Sequence, residues 1–323
     1  MYLPRPPDYG WEDLSQNIGR IMDQWQVGDV KITRIAELRN VRWPNFVFRS
    51  LSADEVREQE WLLPNHATPE GQLISSTHAF VIECGSRKII VDTCVGNDKV
   101  RKWPAWNDLQ GPFLRCLEDA GHSPYSIDTV FCTHLHVDHV GWNTKLVDGR
   151  WVPTFPNAQY LFCREEWEHW SKENDQERDG DVTPQVAQGV LEARAVFEDS
   201  LRPIVDAGLH KLVEANHALC EEIFLEPTPG HTPGHVSVHI SSRGEEAVIT
   251  GDLVHHPIQL AKPRASSTFD FDVARAIATR QEFFKRYADR DILILGTHFA
   301  PPTGGRIVTH GESWRFGDFG ASR

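Results

Sequence analysis

Residues 134–139 read His134-Leu135-His136-Val137-Asp138-His139, directly after the apolar run Thr129-Val130-Phe131-Cys132. Three imidazoles and one carboxylate fall within six positions. Histidine is the commonest protein ligand for zinc-like metals. Side chains alternate along a strand with period two, so His134 and His136 leave its end on the same side. Asp138 and His139 then fall in the turn that follows. Four ligand-type groups converge on one small volume, with room for more than one metal ion. A buried polar network that satisfied all four without a metal would be costly to build.

The same residue types recur at the ends of other apolar runs. Val91-Asp92-Thr93 follows Lys88-Ile89-Ile90, and Thr228-Pro229-Gly230-His231-Thr232-Pro233-Gly234-His235 forms a Pro/Gly-rich turn. Ile249-Thr250-Gly251-Asp252 and Leu293-Ile294-Leu295-Gly296-Thr297-His298 each end on a ligand-type side chain. Loops at strand ends are where a rigid sheet positions ligands well. Together these motifs resemble the His-x-His-x-Asp-His signature and distal motifs of the metallo-β-lactamase superfamily, from about residue 30 to about residue 310.

That resemblance implies an α/β fold, an αββα four-layer sandwich with metals at one edge between the sheets. It implies His134, His136 and His231 at a first metal, Asp138, His139 and His298 at a second, and Asp252 between them. Cys94 departs from the pattern, standing where many members carry Gly, but it is not a ligand position. Two divalent metal ions lower the pKa of bound water towards ~7 and polarise a carbonyl or phosphoryl oxygen. Zinc is the first choice, and mixed His/Asp ligation also accepts Mn, Fe or Co. The chemistry expected is hydrolysis by a metal-bridging hydroxide, with Asp138 and Asp252 as the catalytic carboxylates that accept or relay the proton.

Looser motifs near the end, Gly251-Asp252-Leu253 with Gln259, Gly296 to Pro301 and Gly304 to Phe316, resemble the methyl parathion hydrolase branch and its lactonase relatives. They imply a homodimer acting on a small, partly apolar ester, lactone or organophosphate triester. A thioester, amide or aryl halide is the alternative bond, and iron-dependent redox chemistry on the same fold ranks below hydrolysis. A nuclease is disfavoured by the charge. Trp142, His255, His256, Phe269 and Phe299 are candidate substrate-pocket residues, His235 is expected to hydrogen-bond its own loop, and Glu165-Glu166-Glu168 reads as a solvated helix face.

Composition narrows the partner. The chain has 323 residues and a formal charge of −13. That balance argues against a nucleic-acid groove and against acidic lipid headgroups, leaving a small molecule. The six scattered cysteines, without a Cys-x-x-Cys pair, read as reduced thiols in a cytoplasmic setting. Met1 to Pro7 form no apolar signal region, and no run approaches the ~18 apolar residues of a membrane span.

Residues 1–27 read as an extension with an amphipathic helix over Trp11 to Trp25, and 28–323 as the catalytic domain. Within that domain the patterning predicts a hairpin over 79–92 and helices over 107–120, from Arg164 to Trp170, 184–209 and 271–288. It also predicts an exposed loop over 171–183 and strands at 128–133, 160–162, 222–226, 236–241, 246–251 and 291–296.

Overall fold

Strand alternation builds the architecture. In the computed structural model, which describes residues 23–175 and 193–319, most core strands are apolar on both faces. Strands β1 (Gln24–Val27), β2 (Val30–Arg42), β3 (Leu73–Cys84), β4 (Arg87–Val91) and β5 (Thr129–Cys132) lie in that order in a seven-stranded sheet. A separate hairpin, β6 (Thr144–Val147) and β7 (Arg150–Pro153), precedes β8 (Gln159–Cys163) and β9 (His210–Val213), which complete the sheet beyond β5. The first four strands are antiparallel and the step from β4 through β5 and β8 to β9 is parallel. The second sheet runs β10 (Ile223–Pro227), β11 (Val236–Ser242), β12 (Glu245–Ile249), β13 (Ile292–Leu295), β14 (Gly304–His310) and β15 (Ser313–Gly317), with β12 and β13 parallel.

Ile89 and Val91 of β4, Phe131 of β5, and Leu293 and Leu295 of β13 meet between the sheets. Their neighbours Ile90, Val130 and Cys132 turn outward beneath Phe113, Cys116 and Leu117 of helix Phe113–Asp119. Ile292 and Ile294 turn outward beneath Phe283, Phe284 and Tyr287 of helix Val273–Tyr287. A strand covered on both faces must be apolar throughout, which is why these strands read as continuous hydrophobic runs. The result is an αββα sandwich.

Several expected boundaries move. Gln24–Val27 is a strand paired with β2, so the helix expected over Trp11 to Trp25 does not reach its predicted end, and these four residues belong to the sheet rather than to an extension. The rest of that predicted helix lies outside the described residues. The helix expected over 107–120 is confined to Phe113–Asp119, because Gly111-Pro112 interrupts it. Residues 171–175, expected in a loop, continue helix Arg164–Asp175. The described part of the 184–209 prediction is helical but broken by a π-helical turn, Phe197–Leu201, before Arg202–Asp206, where Pro203 removes a backbone donor.

Candidate metal centre

Five strand ends converge at one edge of the sandwich. β4 leads into Asp92 and its parallel neighbour β5 into Thr133-His134, so those two loops lie side by side. β12 and its parallel neighbour β13 deliver Asp252 and His298, and β10 leads to His231. All seven residues expected as ligands are thereby brought together. The donor atoms of His134, His136, His231 and Asp252 lie within 4.8 Å of one another, and so do those of Asp138, His139 and His298.

Asp252 stands between the two groups. Its Oδ2 faces His134 Nε2 at 3.8 Å and His231 Nε2 at 3.4 Å. Its Oδ1 faces His139 Nε2 at 3.3 Å and His298 Nε2 at 3.1 Å. Asp138 closes the second group, 3.7 Å from His139 Nε2 and 3.5 Å from His298 Nε2.

Outer hydrogen bonds fix which ring nitrogen faces inward. His134 Nδ1 meets Thr133 Oγ1 at 3.1 Å, and His139 Nδ1 meets Asp92 Oδ2 at 3.0 Å. His231 Nδ1 meets Asp270 Oδ1 at 3.0 Å, and His298 Nδ1 meets the Ser76 carbonyl at 3.1 Å. In each case the held Nδ1 leaves Nε2 free to face the centre, as an outer partner does for a ligating histidine. His136 is the exception, with Nδ1 inward, 3.0 Å from His231 Nε2.

These groups fit divalent cations. His134 Nε2, His139 Nε2 and Asp252 Oδ1 are buried with no hydrogen-bond partner, yet they point at one another. Buried polar atoms are normally satisfied, so orphans that converge mark a place for a cation. The titrations agree. Burial, reinforced by neighbouring imidazoles, pushes His134 and His136 well below the ordinary histidine range. Burial would depress His298 too, but Asp252 and Asp138 raise it to about 9. Burial would raise the Asp252 carboxyl, but His298 and His139 pull it well below the usual range. Cations bound here would take the place of protons on these groups.

His235 accepts from the Asp252 backbone N–H through Nε2 at 2.8 Å and meets Thr228 Oγ1 through Nδ1, also at 2.8 Å. It therefore bonds its surroundings, as expected, and fixes the backbone of Asp252. Gly251 sits at φ +54°, and a Cβ there would meet His235 Nε2 at 2.5 Å, so the turn into Asp252 requires glycine.

The pocket candidates divide. His255 Nε2 lies 3.3 Å from Asp252 Oδ2, inside the centre. His256 does not face it: Nε2 meets the His66 carbonyl at 2.8 Å and Nδ1 accepts from Ile258 N–H at 3.1 Å. Trp142 is buried, stacked on Phe113, with Nε1 donating to Glu37 at 2.6 Å. Phe299 is buried against His66 and Phe316. Both aromatic rings fill cores rather than wall a pocket, which corrects those two expectations along with that for His256. Phe269 is exposed and belongs to the segment whose Phe271 N–H bonds the His231 carbonyl at 2.9 Å.

Two carboxylates escaped the sequence analysis. Glu166 is not on a solvated face: it is 1% exposed. Its Oε1 accepts from Leu135 N–H at 3.1 Å and Trp170 Nε1 at 2.6 Å, and its Oε2 from Gly234 N–H at 3.0 Å. One side chain thus ties the loop of His134 and His136 to the loop of His231. Gly234 is required there, since a Cβ would meet Glu166 N at 2.2 Å. Asp270 orients His231 and also accepts from Ser267 N–H at 2.9 Å. Although burial opposes it, the bond to His231, with His255 beside it, holds the Asp270 carboxyl at about 2. A helical period that places Glu166 with Trp170 was the available signal for the first, and there was none for the second.

A family model described as the metallo-beta-lactamase superfamily matches residues 74–308. A crystal structure described as hydrolase AbOPH in the beta-lactamase superfamily superposes with a TM-score of 0.77 at 26% identity, covering 94% of this chain and 98% of that one. AidC, described as a dizinc quorum-quenching lactonase in complex with a homoserine product, has the same fold at TM-score 0.73 and 20% identity, covering 94% and 98%. N-acyl homoserine lactonase AiiB of Agrobacterium fabrum (strain C58 / ATCC 33970) is 30% identical over 113 residues, which span 28% of this chain and 40% of that protein. The chain belongs to the metallo-beta-lactamase superfamily, with the fold and donor set of a metal-dependent hydrolase.

Proposed function

We propose that this protein is a dinuclear metal-dependent hydrolase of small, partly apolar lactones and esters, with organophosphate triesters as the neighbouring class. The observation that carries the dinuclear reading is Asp252, whose two oxygens face two separate sets of imidazoles. His134, His136 and His231 would hold one cation, Asp138, His139 and His298 the other, with Asp252 shared. Zinc suits this nitrogen and oxygen donor set, and Mn, Fe or Co are alternatives. Bound divalent ions supply Lewis acidity and a water acidic enough to ionise near neutral pH.

The residues of this chain do the remaining work. Asp252 and Asp138 accept and relay the proton of the attacking water. His255, 3.3 Å from Asp252, lies where the acyl or leaving group would rest. Exposed Phe269 and Phe271 follow the loop of Ser267, whose backbone N–H is held by Asp270, and place an apolar lip beside His231. Such a lip favours a substrate with a hydrocarbon tail. The naming of AidC and AiiB as lactonases supports lactones as the first class to test. A homodimer belongs to the same reading, and light scattering of the purified protein tests it.

The decisive experiment is metal analysis with an activity panel of lactones, aryl esters, thioesters and phosphotriesters on the metal-reconstituted protein. About two metals per chain and lactone or ester turnover are expected, with turnover reduced at least about a hundredfold in Asp252→Ala. Fewer than about one metal per chain, or full activity in that variant, sinks the proposal.

A further inference from the structure

A second donor cluster lies at the other end of the sandwich. Cys84 ends β3, and Cys220 and Glu222 stand just before β10. In the β3–β4 hairpin Cys84 pairs with Arg87, whereas Phe80 pairs with Val91, the residue before Asp92. β10 likewise starts beside Glu222 and runs towards His231. The cluster is therefore set at the strand ends opposite the catalytic centre, one donor from the first sheet and two from the second.

The three donor atoms form a compact triangle. Cys84 Sγ and Cys220 Sγ are 3.7 Å apart, and Glu222 Oε2 lies 3.1 Å from the first and 3.3 Å from the second. A tetrahedral zinc with Zn–S of ~2.3 Å and Zn–O of ~2.0 Å separates two sulfurs by ~3.8 Å and a sulfur from an oxygen by ~3.5 Å. The observed triangle is close to one face of that tetrahedron. The sulfurs are far outside the ~2.05 Å of a disulfide. The donors are also held in place from both sheets. Leu219 and Cys220 N–H both bond the Ile223 carbonyl, at 2.8 and 3.2 Å, and Arg87 Nη1 donates to the Leu219 carbonyl at 3.1 Å. Cys84 is buried while Cys220 and Glu222 are half-buried, which leaves an open side for solvent as a fourth ligand.

We propose that Cys84, Cys220 and Glu222 form a site for a thiophilic divalent cation, zinc or cadmium, that clips the two sheets together at the end remote from the catalytic centre. Binding exchanges two thiol protons for one dication, with Glu222 already a carboxylate. No oxidant or reductant takes part. Because binding releases thiol protons, affinity strengthens as pH rises. A cation held only by the folded protein stabilises it by mass action.

Cadmium is the probe, titrated into protein whose catalytic centre is already loaded and followed by equilibrium dialysis and ultraviolet thiolate-to-cadmium charge transfer. The catalytic donors are nitrogen and oxygen, so a thiolate band arises elsewhere. One cadmium beyond the catalytic complement is expected, with a charge-transfer band and a higher melting temperature. The Cys84→Ser/Cys220→Ser double variant should lose all three while retaining its catalytic metals and turnover. Glu222→Gln, which keeps both thiols, should bind at least about tenfold more weakly, in line with the loss of one charged ligand. If the double variant fails to fold, Cys220→Ser at its half-buried position makes the same comparison. The absence of extra cadmium, a band unchanged in the thiol variants, or a Cys84–Cys220 disulfide in the isolated protein would overturn the proposal.

Discussion

Glu166 shows how much rests on one side chain. Its carboxylate takes N–H groups from Leu135 and Gly234, which neighbour His134, His136 and His235. Glu166→Ala leaves those two buried donors unsatisfied, at about 1–3 kcal/mol each. Glu166→Gln keeps the volume but turns one acceptor into a donor. Both variants should bind metal about 10–100-fold more weakly, the effect usual for groups that orient ligands. Competition with a chelator measures this, and melting of the metal-free protein separates it from simple unfolding. Unchanged metal affinity in Glu166→Ala would show that the loops hold their geometry without the clamp. The seven proposed ligands were legible in sequence because they stand at strand ends in motifs that resemble the family's signature. Glu166 was not, because its partner Gly234 is 68 residues away and an acidic residue on a helix ordinarily faces water.

Helix Val273–Tyr287 illustrates the next scale. Asp272 caps it, accepting from Arg275 N–H at 3.0 Å, and Phe283, Phe284 and Tyr287 seat it on the second sheet. Its position was readable from the apolar spacing, and its ends shifted by one or two residues. Two substitutions separate the local signal from the packing. Asp272→Ala should cost about 1 kcal/mol, the usual worth of a cap. Phe284→Ala should cost about 3–5 kcal/mol through the cavity it leaves. Denaturant titration of both decides which term dominates, and equal losses would contradict the ordering. The expected 107–120 helix is cut short at Gly111-Pro112, and the described part of the 184–209 helix carries a π-helical turn just before Pro203.

For the whole molecule, acid stability offers a test. His66 packs against His256, Phe299 and Phe316, and burial lowers its pKa from 6.5 to about 4. The unfolded chain then binds the proton more readily than the folded one. Stability is intact above the unfolded value and is lost as pH falls through the folded one. Between pH 6.5 and pH 4 this group should remove about 3 kcal/mol. Wild-type stability minus that of His66→Leu, measured by denaturant titration, should fall by that amount as pH drops across that window. A constant difference would place the acid sensitivity elsewhere. No helix among the described residues is long and apolar enough to cross a membrane.

Sequence by itself determined the αββα layering and the identity of the seven convergent side chains. The strands and the ligand-type residues at their ends follow from short-range rules, whereas the layering and the grouping of the seven follow from the resemblance of their motifs to the metallo-β-lactamase superfamily. Only the tertiary structure decided which side chains lose contact with water. It sent Trp142, His256 and Phe299 into packed interiors, buried Glu166 between two loops, and set Cys84 against Cys220 across 136 residues of chain. Burial of a polar group depends on everything that covers it, and the covering residues come from distant strands and helices that no local pattern relates.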